Sequence, residues 1–362
     1  MLERFHVPTD EEIRVSEQAL RATVEGIFLA LGIPEEDARQ GADVLLYADL
    51  RGVETHGVSN MLRVYVNQYQ NGSLNPIGEL TILQERPSTA AIDGGNTLGV
   101  FQGPKAMRIA IEKARATGAG IVTVRNVGHT GAVGYHAMLA ADEDMIGVSL
   151  TAGGALVVPT YGAEPRLGTN PIAIAAPTGT KPRFLFDAAT SAVAGNKLAI
   201  AARLGVTLHP GWITSWNGAP IMEETLLPER GKFHMLPLGS TREMGSHKGY
   251  GLALMNEILC SILGSALPSM LDRESGSKQF LAAYDISAFG DLEQFKVSLD
   301  QMLDALESTP PAPGHDRVIY PGISEHEELG ERLERGIPLH IEVIEWFNKT
   351  CNELGVPELH TT

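Results

Sequence analysis

The chain has 362 residues, enough to bury a large core and to fold as two or three lobes. Hydrophobic content of 43% and charged content of 20% describe an ordinary globular protein, and a formal net charge of −16 without a Lys/Arg cluster argues against a nucleic-acid partner. Its two cysteines, Cys260 and Cys351, are too few for a disulfide framework or a thiolate metal site, which fits a reducing compartment.

Thr9-Asp10-Glu11-Glu12 predicts a capping box opening a helix, with Ile13, Leu20, Val24, Ile27, Phe28 and Leu31 as its apolar stripe and Gly32 as its stop. Pro34 starts a second helix through Ala38, Ala42, Leu45 and Leu46. A third is read from Val58, Met61, Leu62, Tyr65, Val66 and Tyr69, ended by Asn71-Gly72. Strand signals follow at Leu80-Thr81-Ile82-Leu83 and Ala90-Ala91-Ile92, the latter leading into the turn Asp93-Gly94-Gly95-Asn96. A helix over 102–117 stops at Gly118. Ile121-Val122-Thr123-Val124, Ile146-Gly147-Val148-Ser149-Leu150, Ile172-Ala173-Ile174-Ala175 and Phe184-Leu185-Phe186-Asp187 read as strands. Strands outnumber helices between 80 and 190, which predicts a mixed or antiparallel sheet and not a doubly wound one.

Further on, a helix is expected over 196–204 and a Trp- and Gly-rich connection around Pro210-Gly211-Trp212. The most apolar stretch, 251–271, is interrupted by Asn256 and Glu257 and has Pro268 near its end, so it reads as a buried helix and not a membrane span. A strand within 280–289, a helix over 292–306, a rigid loop over 309–314 and a last helix over 338–354 complete the pass. Three regions are expected: an N-terminal helical domain over 1–78, a sheet-containing domain over 79–330, and a C-terminal helix over 331–362 that packs on the first helices. The start Met1-Leu2-Glu3-Arg4-Phe5-His6 has no apolar signal core, and the protein is expected to be soluble and cytoplasmic.

Arg51-Gly52-Val53-Glu54-Thr55-His56-Gly57 places a hydroxyl and an imidazole just ahead of a helix, whose first N–H groups and positive dipole end favour a small carboxylate. His56 would be available for proton transfer, and the same field would keep it neutral until a carboxylate arrives. The plainer reading is a helix cap. Gly128-His129-Thr130-Gly131 lies in a glycine-rich turn between a strand and a helix, yet its spacing is G-x-x-G-x-x-G, so a Rossmann site is not supported. His129 at a strand's end can point into a cleft. In Arg166-Leu167-Gly168-Thr169-Asn170-Pro171, Thr169 and Asn170 offer groups for a ribose or a carboxamide, or simply an Asx turn. Asp187-Ala188-Ala189-Thr190-Ser191 closes a strand with small residues that let a flat ring approach, and Asp187 either accepts a ribose hydroxyl or caps the next segment. Lys248 adds a positive charge to a helix N-terminus, an unfavourable placement that points to an anion such as a cofactor phosphate. The histidines lack metal-ligand spacing, and neither a G-x-S-x-G elbow nor a P-loop occurs.

Together with Pro321-Gly322 and Gly336-Ile337-Pro338-Leu339, these motifs resemble the malate/L-lactate dehydrogenase family of NAD(P)-dependent, non-Rossmann oxidoreductases, and they cover nearly the whole chain. The resemblance implies an α/β fold with a mixed, largely antiparallel sheet flanked by helices, and reversible hydride transfer between NAD or NADP and C2 of a 2-hydroxy or 2-oxo acid, in a homodimer with active sites near the subunit contacts. It makes both His56 and His129 acid/base candidates, with His129 preferred and Thr55 and His56 holding carbonyl and carboxylate. By the same resemblance Gly153, Thr169, Asn170, Asp187, Ala188, Ala189, Lys248, Gly322, Ser324 and Glu325 contact the cofactor. Two departures from the pattern bear on the substrate. Many members carry an arginine four residues after the motif histidine, where this chain has Asn60, with Arg63 one turn later. The loop after Leu150 reads Ala152-Gly153-Gly154 where a polar pair is common, which makes the pocket roomier and less polar. Within the family the rival activity is reduction of a cyclic imino acid at C=N. Outside it, the rival is a catalytically silent small-acid-binding protein.

Overall fold

Ser16, not Thr9, opens the first helix: its hydroxyl accepts the Ala19 N–H at 3.2 Å, and α1 runs Glu17–Ala30. The residues read as a capping box are instead the approach to a strand, β1 (Glu12–Val15), which pairs antiparallel with β11 (Ile337–His340) so that Ile13 faces Leu339 and Val15 faces Ile337. Glu12 turns to Arg14 at 2.6 Å and Glu11 to His340 at 2.7 Å, so neither carboxylate reaches back to a helix start. Long-range pairing has overridden a local signal. The same pairing shortens the last helix, α10, to Ile341–Leu354. The computed structural model describes residues 3–272 and 276–360; Met1 and Leu2, where the start was read as lacking a signal core, lie outside them.

Helices α2 (Glu35–Leu50) and α3 (Val58–Gln70) follow, and their apolar stripes share one core with α1, β11 and α10. Phe28 meets Phe101 edge-on at 5.5 Å, which ties this core to α4 (Gly99–Thr117), ended by Gly118 at φ 85°. Seven strands form the central sheet in the order β2 (Thr81–Arg86), β3 (Thr89–Thr97), β4 (Ala119–Val127), β10 (Ser277–Asp285), β5 (Met145–Ala152), β6 (Ile172–Ala176) and β7 (Phe184–Ala188). Only the β3–β4 pair is parallel, so the expected mixed, mainly antiparallel sheet is present. The expected turn at Asp93-Gly94-Gly95-Asn96 is an irregularity inside β3, where the register to β4 shifts between Asp93 and Thr97. Strand β10 arrives late in the chain and enters the middle of the sheet. Its Phe280–Ala283 register against Val122 and Ser149 neighbours explains a continuous run of buried residues.

The apolar stretch over 251–271 departs from expectation. Helix α7 (Ser246–Asn256) continues as a π-helical segment, Glu257–Ile262, which packs its polar seam inward: Asn256, Glu257 and Ser261 are buried. Its outer side leaves Leu252, Met255, Ile258, Ile262, Leu263 and Leu267 exposed. It is therefore not a buried helix within one chain. Among the described residues no helix is long and apolar enough to cross a membrane.

Helix α9 (Ile323–Arg335) is largely polar and supplies a deeply buried cation. Arg332, 3% exposed, pairs with Glu54 at 2.7 Å and donates to the Asp49 carbonyl at 2.7 Å and to Glu328 at 2.9 Å. Removing one partner of such a pair strands the other in a medium that solvates it poorly. Arg332→Met should lower unfolding free energy by about 3–5 kcal/mol, measured by urea denaturation. A loss below about 1 kcal/mol, the worth of a surface pair, would show that Glu54 finds water or another partner.

Candidate active site

Residues 51–57 form the turn between α2 and α3, and they are pinned from beneath by a buried carboxyl. Asp49 Oδ2 accepts the Val58 N–H at 2.8 Å, an N-terminal cap supplied from the preceding helix. A Cβ on Gly57 would lie 1.9 Å from Asp49 Oδ1, so only glycine lets the turn settle on the carboxyl. Burial pushes the Asp49 pKa up to about 7, against the lowering effect of the Val58 N–H and with Glu54 adding to the rise. On this support Thr55 Oγ1 sits 2.8 Å from His56 Nδ1, and Asn196 donates its amide to the Thr55 carbonyl at 2.7 Å.

His129 comes from the loop between β4 and α5 (Val133–Ala141). Its Nδ1 is 2.7 Å from the Tyr65 hydroxyl and accepts the Gly131 N–H at 3.1 Å. Because an N–H points at Nδ1, the neutral ring carries its proton on Nε2. The two imidazoles lie nearly parallel, 17° apart with centroids at 5.6 Å, and each Nε2 is without a partner among the described residues. Burial lowers the His56 pKa to about 4. For His129 burial, then the neighbouring His56 and His136, bring it to about 3. Both rings are neutral at neutral pH.

The histidines open on a cavity of about 480 Å³. Its walls include Thr55, His56, His129, Gly153, Thr169, Asp187, Ala188, Ala189 and Glu325, so the structure brings nine of the sequence-derived site residues together. Gly322 lines an adjoining groove of about 560 Å³ that shares Tyr47, Arg51, Leu185 and Glu325 with the cavity. Ser324 borders a third hollow of about 190 Å³ beside Arg51 and Asp187. Asp187 faces the cavity while accepting the Gly134 N–H at 2.7 Å. Withdrawal from bulk water raises its pKa to about 6, opposed by the Gly134 N–H and helped by Glu325.

Four residues named from the sequence stand elsewhere. Asn60 is buried and donates to the Glu54 carbonyl at 2.7 Å, which holds the turn together from behind. Arg63 forks onto both oxygens of Glu342 at 2.8 and 3.1 Å, so its charge is already answered. Asn170 is 1% exposed, donates its amide to the Ala253 carbonyl and accepts the Gly153 N–H, long-range contacts that are not the local Asx turn of the plainer reading. Lys248 is exposed at the start of α7 and outside these cavities, where water solvates its charge. Among the described residues no group of His, Cys, Asp and Glu is placed to hold a metal. Tyr65 was missed as a site residue, although the two hydroxyl-bearing rings of its stripe, Tyr65 and Tyr69, were a visible signal. Tyr47 and Arg51 were missed as a stacked pair, with the guanidinium 3.8 Å from the ring centroid.

The malate/L-lactate dehydrogenase family profile matches residues 15–348. Malate dehydrogenase of Pyrococcus horikoshii is 40% identical over 99% of this chain and 100% of its own. L-sulfolactate dehydrogenase of Methanocaldococcus jannaschii is 34% identical over 91% of this chain and 94% of its own. Among solved structures, malate dehydrogenase of Entamoeba histolytica superposes with a TM-score of 0.90 at 34% identity, covering 96% of this chain and 99% of that one.

The depressed histidine pKa values have a direct check. In a ¹⁵N-imidazole NMR titration, His56 and His129 should stay neutral from pH 8 down to pH 5, below which charging begins. A midpoint near the solution value of about 6.5 for either ring would show that water reaches it freely.

Proposed function

The chain belongs to the malate/L-lactate dehydrogenase family, and we propose that it moves a hydride between a nicotinamide cofactor, NAD or NADP, and C2 of a small 2-hydroxy or 2-oxo acid. The observation that carries this reading is the pair of parallel imidazoles with free Nε2 atoms facing a cavity walled by small residues. A bound nicotinamide would supply or take the hydride. Gly153, Ala188 and Ala189 leave the main chain open to a flat ring, Thr169 and Asp187 offer polar groups for a carboxamide or a ribose hydroxyl, and the neighbouring groove past Glu325 and Gly322 extends the space for the rest of a dinucleotide.

His129 is the proton-transfer group in this reading, and Thr55 and His56 hold substrate oxygens. With Nδ1 taken by Gly131 N–H, His129 presents Nε2–H to a carbonyl oxygen. To accept the hydroxyl proton of a 2-hydroxy acid at Nε2, it must carry its own proton on Nδ1, which the Tyr65 hydroxyl can accept once the Gly131 N–H turns away. The geometry as it stands favours the Nε2–H tautomer, and oxidation requires the loop to release Nδ1. The low pKa keeps the ring uncharged and basic-side ready for oxidation at neutral pH.

The same reading includes a homodimer. The outer side of α7 and its π-helical continuation exposes Ile258 and Ile262 at 55% each, beside Leu263 at 57%. A contiguous apolar face of this kind favours burial against another surface, and a second copy is the partner assigned to it.

Two outcomes are expected. His129→Ala should lose about a hundred- to ten-thousand-fold in turnover while binding reduced cofactor normally in a fluorescence titration; near wild-type turnover would hand the proton-transfer role to His56. The double change Ile258→Glu and Ile262→Glu should halve the sedimenting mass in analytical ultracentrifugation. Retention of a dimer would place the contact on another face.

A further inference from the structure

Among the described residues, the cavity that holds the histidines has one permanent cation in its wall, Arg51. Its guanidinium lies over the Tyr47 ring at 3.8 Å, and Tyr135 meets that ring edge-on at 5.2 Å, so the plane on which Arg51 rests is itself held. Among the described residues Arg51 makes no side-chain hydrogen bond and no ion pair. Its neighbours differ: Arg63 and Arg203 pair with Glu342, and Arg332 pairs with Glu54. Asp187 and Glu325 share the cavity wall with Arg51 without closing on it.

We propose that Arg51 binds the carboxylate of the substrate acid, in place of the arginine that the motif lacks at Asn60. This rests on the function proposed above and names the group that selects its substrate class. Three observations converge on it. A half-buried guanidinium with five unanswered donors matches a carboxylate bidentately, which a lysine or an amide does not. Arg51 lies five residues before His56 on a turn pinned by Asp49 and Arg332, so the cation and the imidazole are held on one rigid wall. The other candidates are engaged: Asn60 holds the Glu54 carbonyl and Arg63 holds Glu342. Arg51 stands where the histidine cavity meets the adjoining groove, and of the groove's other cations Lys181, Arg183 and Lys296 are each already in an ion pair, so among the described residues Arg51 is the cation on the histidine side. In a chain of net charge −16, Arg51 is the local attraction set against the long-range repulsion of an anionic substrate.

The test uses Arg51→Met and Arg51→Lys in the full chain, with oxamate as an unreactive 2-oxo-acid analogue. Calorimetric titration of oxamate into enzyme saturated with reduced cofactor should weaken about ten- to a hundred-fold in Arg51→Met, with Arg51→Lys between that variant and wild type. Reduced cofactor and ADP-ribose should bind both variants within about twofold of wild type, and KM for the 2-oxo acid should rise more than kcat falls. Unchanged oxamate affinity in Arg51→Met overturns the assignment. So does a loss that falls on ADP-ribose and leaves oxamate intact, because Arg51 would then serve the cofactor. If Arg51→Met does not fold, as judged by thermal unfolding, the Arg51→Lys titrations decide by the same criteria. A wild-type protein that binds oxamate but turns over no 2-hydroxy acid with either cofactor would defeat the proposed activity and leave the carboxylate site standing.

Discussion

Burying the Arg332 guanidinium beneath the 51–57 turn is the constraint on which the site depends. A charge this deep is tolerated only with its donors answered, and its acceptors come from three places: the Asp49 carbonyl at the end of α2, Glu54 in the turn, and Glu328 on its own helix. Closing that set fixes α9 against the N-terminal helices. It also fixes Glu325, two turns earlier on α9, against Arg51, Thr55 and His56 across the cavity. Two walls that are far apart in sequence acquire one relative position from a single buried cation.

The second histidine is held with similar economy. His136, fully buried, meets the Thr130 carbonyl at 2.8 Å, and Thr130 meets Thr151 at 3.3 Å, so the His129 loop is anchored to both α5 and β5. The surroundings that fix the loop also exclude water from its rings, and that exclusion, more than any charge, lowers their pKa. Positioning and tuning are one effect here. A looser loop would place His129 less well and would also return its basicity toward the solution value.

What was legible in the sequence divides along the range of the interactions. Helices with a dense apolar stripe, such as α2 and α3, and strands buried on both faces, such as β4 and β5, declare themselves locally. Thr9 to Glu12 carries the letters of a capping box, but β1 exists because β11, more than three hundred residues away, offers an edge to pair with. Helix α9 was passed over because its value lies in Arg332 and Glu325, not in apolar periodicity. In the site, motif residues on the cavity wall were found from turn chemistry and family resemblance. Arg63 and Asn170 were misplaced because their partners, Glu342 and Ala253, are brought to them only by the fold. Lys248 shows how little dipole reasoning alone decides: an unfavourable end charge of several tenths of a kcal/mol is also tolerated at an exposed position such as this one.

Helix α7 joins the two remaining features of the molecule, its apolar outer side and the far wall of the cavity. On the inner side Asn256 donates to the carbonyls of Thr151, Asn170 and Pro171, and Glu257 accepts the Ser261 hydroxyl and the Ser269 N–H. Asn170 in turn binds Ala253 and receives the Gly153 N–H. Gly153, Thr169 and Pro171 all line the cavity, so the loops that shape it hang on the polar seam of one helix. A π-helical turn begins where that seam is richest, at Glu257, and widening the helix there directs Asn256 and Glu257 together toward the sheet. The polar residues that seemed to interrupt an apolar stretch are therefore the ones that attach it to the site. The outer side of α7 and the loops of the cavity thus belong to one helix, joined through Asn170 and Asn256.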